Sequence, residues 1–465
     1  MKTSRALILA LALAAVSTTA CDSGANLDVA PKNLLMVIFD TTRADHFSTY
    51  GYEKPTTPTV DALARRGAQF DHAYAQSSLT PVSAGAFFTG TLPNRHGIRS
   101  LMSVGKESLS EGAETLAERL AANGIRTAGF VSARPMGAHY GLGRGFGTFS
   151  DDVGTNKQKA PCGNEYQRRA DVTTDLALDW LGSNGLNPFL LMVHFFDPHD
   201  ANLAPPREFL EERVSFPLPP NIDQPCALRG MPKKFRKELY DAEVAWMDAQ
   251  LARLLERLER LGVLDETLVT VLADHGEGLG QHDNWTHGWL HREQLRVPLV
   301  MAGPGIEPGV VVEAPVRLID LFPTYVDLFG VRAERENIQG VSLVPLLRGA
   351  SEAPRELYAE VHHDTDDFLG RDPAMFSLEA GDWKLIHRPE SGNHELYHVA
   401  EDPGELVNVY EAEHPEALRL LRKLEGLGVL GGELITSEDL SEEDRDALGA
   451  MGYIGTDEDE EATDE

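Results

Sequence analysis

Leu34-Leu35-Met36-Val37-Ile38-Phe39-Asp40 is an unbroken apolar run that stops on a carboxylate. That texture belongs to a strand buried on both faces of a parallel sheet, where covering helices leave no solvated position along it. Leu268 to Ala273 repeats the pattern and runs into Asp274, and Phe189 to His194 is a third such run. Ile125 to Val131 also reads as a strand. Helical stretches separate these runs: Thr59 to Arg66, stopped by Gly67; Thr115 to Ala122, ended near Gly124; the amphipathic Asp171 to Leu181; and the long Arg236 to Leu261. The alternation predicts an α/β fold with a doubly wound, mostly parallel central sheet. C-terminal strand ends in such a sheet share one edge, so Asp40 and Asp274 are expected to converge there.

From about Val361 the texture changes. Phe376 to Leu378, Trp383 to Ile386 and Glu395 to His398 are short strands broken by Gly and Pro, which predicts a small antiparallel sheet. A helix from Pro415 to Leu424, opened by a proline in its first turn, is expected to pack on it. The expected organisation is a large α/β domain over 33–360, an α+β subdomain over 361–430 and an acidic tail over 431–465. Asp151 to Gln167 is polar and irregular and reads as a surface loop.

The 465 residues carry a net charge of −31, which excludes nucleic acid as a partner because no basic footprint exists for a phosphate backbone. Part of that charge sits in the solvated run Asp457 to Glu465. At the other end, Lys2 and Arg5 precede an apolar stretch from Ala6 to Val16 and small residues up to Ala20-Cys21. This is a signal peptide over 1–20, too short for a stable membrane span. Thr18-Thr19-Ala20-Cys21 resembles a bacterial lipoprotein signal, although Thr18 stands where an aliphatic residue is usual. On that reading Cys21 carries a lipid anchor, 21–32 is a tether, and the protein is exported to the cell envelope, in the periplasm or on the outer surface. A plain secretory signal is the alternative. Export makes a disulfide between Cys162 and Cys226 chemically permissible, and sequence leaves their pairing open.

Three segments carry chemistry. Asp274-His275-Gly276-Glu277-Gly278-Leu279-Gly280 follows a buried strand, so an Asp and a neutral His can reach one divalent cation while glycines turn the backbone around it. The plain alternative is a Gly-rich turn with a capping Asp. Thr80-Pro81 reads as an N-cap followed by the first helical residue, which puts the Thr80 hydroxyl in the positive field of a helix N-terminus. A metal there lowers the hydroxyl pKa and makes it a nucleophile; in isolation Thr80 is an ordinary cap. His199, in Phe196-Asp197-Pro198-His199-Asp200, and His287, in Trp285-Thr286-His287-Gly288, lie on loops at the same edge, and an imidazole near a leaving oxygen is a general acid.

Together these segments resemble the sulfatase-like members of the alkaline phosphatase superfamily along nearly the whole mature length. Val37-Ile38-Phe39-Asp40 looks like the family's first metal-binding strand, and Thr89-Gly90 with Pro93-Asn94-Arg95-His96-Gly97 matches the end of its signature helix. Asp197-Pro198-His199, Asp274-His275-Gly276-Glu277, Arg296-Val297-Pro298-Leu299, Trp383-Lys384-Leu385-Ile386, Glu395-Leu396-Tyr397 and Asp402-Pro403-Gly404-Glu405 follow in the family order. The resemblance implies an alkaline phosphatase-like sheet and one divalent ion held by Asp40, Thr80, Asp274 and His275. It implies Thr80, His199 and His287 as catalytic residues, and sulfate or phosphate esters of small molecules or glycans as substrates.

The departures narrow this. Sulfatases of the main type oxidise a Cys or Ser to formylglycine and carry Pro two and Arg four residues later; here Thr80, Val82 and Ala84 hold those positions. Oxidising a Thr hydroxyl gives a ketone, so formylglycine is not expected. Thr41 stands where a second metal Asp is common. The set that remains is similar to the single-metal site of phosphoethanolamine and phosphoglycerol transferases, and an imidazole replacing a carboxylate favours Zn²⁺ or Mn²⁺ over Ca²⁺. Two other readings stay open: a phosphoryl or phospholipid head-group transferase, and a catalytically weak envelope- or carbohydrate-binding lipoprotein.

Overall fold

The structure, a computed structural model, describes residues 29–101, 108–153, 167–199, 204–222, 231–332, 337–363, 371–431 and 441. The signal peptide, Cys21 and its lipid anchor, most of the tether, Cys162, Cys226 and nearly all of the acidic tail lie outside the described residues.

Among the described residues the central sheet has eight strands, in the spatial order Val310–Val312, Ala68–Phe70, Leu299–Ala302, Thr267–Leu272, Asn33–Phe39, Phe189–Phe195, Arg126–Val131 and Thr148–Ser150. Asn33–Phe39 sits in the middle and pairs in parallel with Thr267–Leu272 on one side and Phe189–Phe195 on the other. Leu299–Ala302 runs antiparallel to both its neighbours, so the sheet is mixed but mostly parallel. Alternation along Asn33–Phe39 shows why its sequence is apolar throughout. Leu34, Met36 and Ile38 enter one core, with Phe87 and Phe322, while Leu35, Val37 and Phe39 enter the opposite core against Val244, Met247 and Leu251 of the helix Lys233–Leu261. Both faces are covered, as expected of a doubly wound sheet.

The C-terminal sheet has four antiparallel strands, Leu357–His362, Ala374–Ala380, Trp383–His387 and Glu395–His398, with the helix Pro415–Leu427 packed on it through Ala417, Leu420 and Leu424. Its first strand starts at Leu357, ahead of the expected boundary at 361, because Leu357-Tyr358-Ala359 already pairs with Leu378 and its neighbours. No helix among the described residues is long and apolar enough to cross a membrane.

Candidate active site

Parallel pairing brings the polar ends of three strands to one edge. Asp40 follows Asn33–Phe39, Asp274 follows Thr267–Leu272, and His194 lies in Phe189–Phe195 in register with Ile38. The helix Thr80–Thr89 is seated over that edge, with all ten of its residues buried. Pro81 falls in its first turn, and Gly90 closes it in the left-handed region at φ 69°. Its N-cap is Leu79, not Thr80, which corrects the sequence expectation by one residue. The reason is local: the Thr80 hydroxyl makes no capping bond but lies 3.3 Å from Asp40 Oδ2 and 3.3 Å from His275 Nε2. One turn along the same face, Ser83 Oγ donates to the Asp274 carbonyl at 2.7 Å and fixes the helix to the Asp274 loop.

The hydrogen bonds leave lone pairs bare in one place. Asp274 Oδ1 accepts from the backbone N–H of Thr41 (3.2 Å) and His275 (2.9 Å), whereas Oδ2 has no hydrogen-bond partner. Asp40 Oδ2 is shared by Thr80 and by His194 Nε2 at 2.8 Å, whereas Oδ1 has no partner. His275 Nδ1–H donates to the Gly276 carbonyl at 2.9 Å, which fixes the tautomer and leaves Nε2 as the lone-pair nitrogen, 3.5 Å from Asp274 Oδ2. Ligand atoms of Asp40, Asp274 and His275 lie within 4.8 Å of one another and all three residues are fully buried. Burial of the carboxyl, with Asp274 beside it, pushes Asp40 well above the ordinary carboxylate range. Burial also opposes a proton on His275, but Asp274 and Asp40 outweigh it and shift this imidazole upward. Convergent buried carboxylates of this kind are the arrangement a divalent cation relieves, and two oxygens plus one imidazole nitrogen suit a single borderline ion. The residues present therefore fit a metal ion.

His199 and His287 stand beside this group. The His287 ring centroid is 4.6 Å from that of His275 and 4.8 Å from that of His199, and His199 stacks on Phe196 at 4.1 Å. His287 Nδ1 lies 3.2 Å from Glu277 Oε2, and burial pushes that carboxyl up to about 8. Both imidazoles are held well below their ordinary pKa, His199 by burial and then by His287, and His287 by burial and then by His275. They are neutral donors at pH 7. From the C-terminal part, Arg371 Nη1 donates to the His287 carbonyl at 3.1 Å and His363 Nε2 to the Gly288 carbonyl at 2.7 Å, so this subdomain holds the His287 loop in place.

Two features escaped the sequence reading. His194 read as the end of a buried strand; the Ser132 N–H reaches its Nδ1 at 3.4 Å, so the Nε2 proton faces Asp40, and burial lowers its pKa to about 4. Val82 and Ala84, at the positions of the missing Pro and Arg, are fully buried in the main core. Neither supplies a cation to the site.

The fold and this site define an alkaline phosphatase-like hydrolase. The sulfatase family model matches residues 32–331, and a second model, described as the C-terminal part of N-sulphoglucosamine sulphohydrolase, matches residues 280–427. The chain belongs to the sulfatase family and is an ester hydrolase of that family. It is 23% identical to an N-acetylglucosamine-6-O-sulfatase of Bacteroides thetaiotaomicron, covering 90% of this chain and 89% of the relative, and 25% identical to a choline-sulfatase of Rhizobium meliloti, covering 82% of each. Its fold is similar to a solved structure of BT4656 in complex with D-glucosamine-2-N,6-O-disulfate, with a TM-score of 0.70 at 22% identity over 86% of this chain and 97% of the other. It is also similar to a phosphonate monoester hydrolase of Agrobacterium radiobacter, with a TM-score of 0.66 at 23% identity over 86% and 91%.

Proposed function

We propose that the chain hydrolyses sulfate or phosphorus esters with Thr80 as the nucleophile, using one divalent ion, Zn²⁺ or Mn²⁺ in preference to Ca²⁺, held by Asp40, Thr80, Asp274 and His275. The observation that carries this reading is the Thr80 hydroxyl within 3.3 Å of both Asp40 Oδ2 and His275 Nε2 at a buried helix N-terminus. Bound there, such an ion would lower the hydroxyl pKa and offset charge on the transferring group. Asp40 Oδ2 takes the hydroxyl proton, and the oxygen attacks sulfur or phosphorus as the bond to the leaving oxygen breaks. His199 and His287, neutral and adjacent, donate hydrogen bonds to the transferring group and to the leaving oxygen, which departs as its anion and takes a proton from water. Water then releases sulfate or phosphate from Thr80. The relatives named above are an N-acetylglucosamine-6-O-sulfatase, a choline-sulfatase and a phosphonate monoester hydrolase, which supports small-molecule or glycan esters as substrates; the Thr18-Thr19-Ala20-Cys21 segment is our ground for proposing export and an anchor through Cys21 in the cell envelope.

The test compares wild type, Thr80→Ser and Thr80→Ala on matched aryl sulfates, phosphate monoesters, phosphate diesters and phosphonates with Zn²⁺, Mn²⁺ and Ca²⁺. Loss of the nucleophile is expected to lower kcat by about a thousandfold or more, with Ser retaining part of it. Unchanged turnover in Thr80→Ala sinks the reading and leaves the binding-lipoprotein alternative. Palmitate labelling that is lost in Cys21→Ser tests the anchor.

A further inference from the structure

One guanidinium joins the two loops that carry Asp40 and Asp274. Arg43 follows Asp40 by three residues and is buried. Its Nε and Nη2 donate to Asp45 Oδ1 at 2.8 Å and Oδ2 at 2.6 Å, a bidentate pair with an exposed carboxylate. The remaining terminal nitrogen, Nη1, donates to the Glu277 and Gly278 carbonyls, both at 3.3 Å. The stem of the side chain lies against Gly276: a Cβ there would stand 3.2 Å from Arg43 Cγ and 2.1 Å from the Glu293 carbonyl oxygen. Glycine at 276 is what lets the two loops close on each other. The base of the arginine is fixed as well. Its backbone N–H donates to Tyr240 Oη at 2.9 Å, and that hydroxyl donates to the Thr41 carbonyl at 2.8 Å.

Arg43 supplies no atom to the proposed hydrolysis, yet the peptide groups it holds belong to Glu277 and Gly278. Glu277 Oε1 accepts from the Gly278 N–H at 2.8 Å, and its Oε2 meets His287 Nδ1 at 3.2 Å, which leaves Nε2 as the nitrogen that can serve the substrate. The imidazole takes its orientation from a carboxyl whose own backbone is gripped by Arg43. We infer that Arg43 is a positioning residue for His287: by holding the Glu277 and Gly278 carbonyls it sets the Glu277 carboxyl, and through it the direction in which His287 meets the leaving oxygen. The inference rests on the role given to His287 above. It also accounts for the residue type. Three nitrogens of one planar fork serve Asp45 and two carbonyls at once, which the point charge of a lysine cannot do.

Full-length wild type, Arg43→Lys, His287→Gln and the double variant are compared on aryl sulfates and aryl phosphates of graded phenol pKa, with the divalent ion in excess. Arg43→Lys is expected to lower kcat by about 10–100-fold with KM nearly unchanged. The loss should be greatest for the phenols that leave worst, the same steepening that His287→Gln shows. In the His287→Gln background the lysine is expected to cost at most a few-fold, because the group it acts through is gone. Asp45→Asn, at an exposed position, loosens one end of the fork without disturbing the core and should lose a few-fold in the same way. An arginine that only supports the fold would lower the melting temperature and leave kcat per folded molecule, and its dependence on the leaving group, at the wild-type value. That outcome, or losses that multiply in the double variant, overturns the inference and leaves the mechanism standing. Wild-type turnover in His287→Gln overturns the role of His287 and the inference with it, as does a wild type that turns over neither ester series.

Discussion

His194 shows how a neutral side chain can set the direction of a charged one. Its Nε2–H holds Asp40 Oδ2 at 2.8 Å, leaving Oδ1 as the carboxylate's unpartnered oxygen. An imidazole that donates to a ligating carboxylate acts on metal affinity without touching the ion. Replacing it with Phe keeps the bulk and removes the donor. His194→Phe is expected to weaken Zn²⁺ or Mn²⁺ binding by about 10–100-fold and to lower stability by about 1–3 kcal/mol, read by chelator competition and urea unfolding. His194→Gln, which retains an N–H, should recover part of the affinity; full affinity in the Phe variant would show that Asp40 orients itself. Asp40, Asp274 and His275 are legible in the sequence because each polar side chain interrupts or ends an apolar strand. His194 also ends an apolar run, but apolar Phe195-Phe196 follows it at once and no motif residue adjoins it, so its sequence carries no sign of a partner. Its purpose appears only once the register with Ile38 sets it beside Asp40.

At the scale of elements, the helix Thr80–Thr89 decides what kind of sulfatase-family site this can be. Its sequence is legible as a helix opened by Pro81 and closed by Gly90, but not as one buried on every side, since burial of its outer face depends on Leu318, Phe322 and the C-terminal part packing over it. The central strands are legible for a related reason: both their faces are apolar. Ala68–Phe70, Thr148–Ser150 and Val310–Val312 are not, because three residues carry no period and gain their pairing only from a longer neighbour. The burial of Ala84 has a consequence for engineering. Restoring the family guanidinium with Ala84→Arg places a cation in the main core, and it is expected to cost roughly 3–5 kcal/mol by overpacking and desolvation. Denaturant unfolding should show a lowered midpoint, with no gain in turnover. A variant as stable as wild type would mean that the guanidinium can reach the site after all.

At the scale of the whole molecule, two parts that read as separate in the sequence are tied together by ion pairs near the site. His282, on the loop that follows the Asp274 segment, lies 2.7 Å from Glu293 Oε1 through Nδ1 and 2.8 Å from the Glu405 carbonyl through Nε2. Glu405 in turn accepts from Lys384 Nζ at 2.7 Å and from the Arg292 N–H at 2.8 Å, and His291 Nε2 meets Glu395 at 2.8 Å. The His282, His291 and Glu293 ligand atoms are close enough for a metal, but the imidazoles stack at 3.8 Å and 9°. Parallel rings put their lone pairs in separate planes, so the cluster is better described as an imidazolium–carboxylate pair. Two acceptors around one imidazole require both its nitrogens to carry protons. Burial opposes that charge, but the hydrogen bond and field of Glu293 prevail and raise His282 from 6.5 to about 9. A pKa higher in the folded than in the unfolded chain means the folded form binds the proton more tightly. The stabilisation is then complete below pH 6.5 and is lost as pH rises through about 9. Melting curves of wild type and His282→Gln between pH 6 and 10 isolate this term from the other titrating groups. The wild-type advantage should be largest at the acid end and shrink steadily across that window; a difference that stays constant with pH would show that His282 is held as a neutral ring.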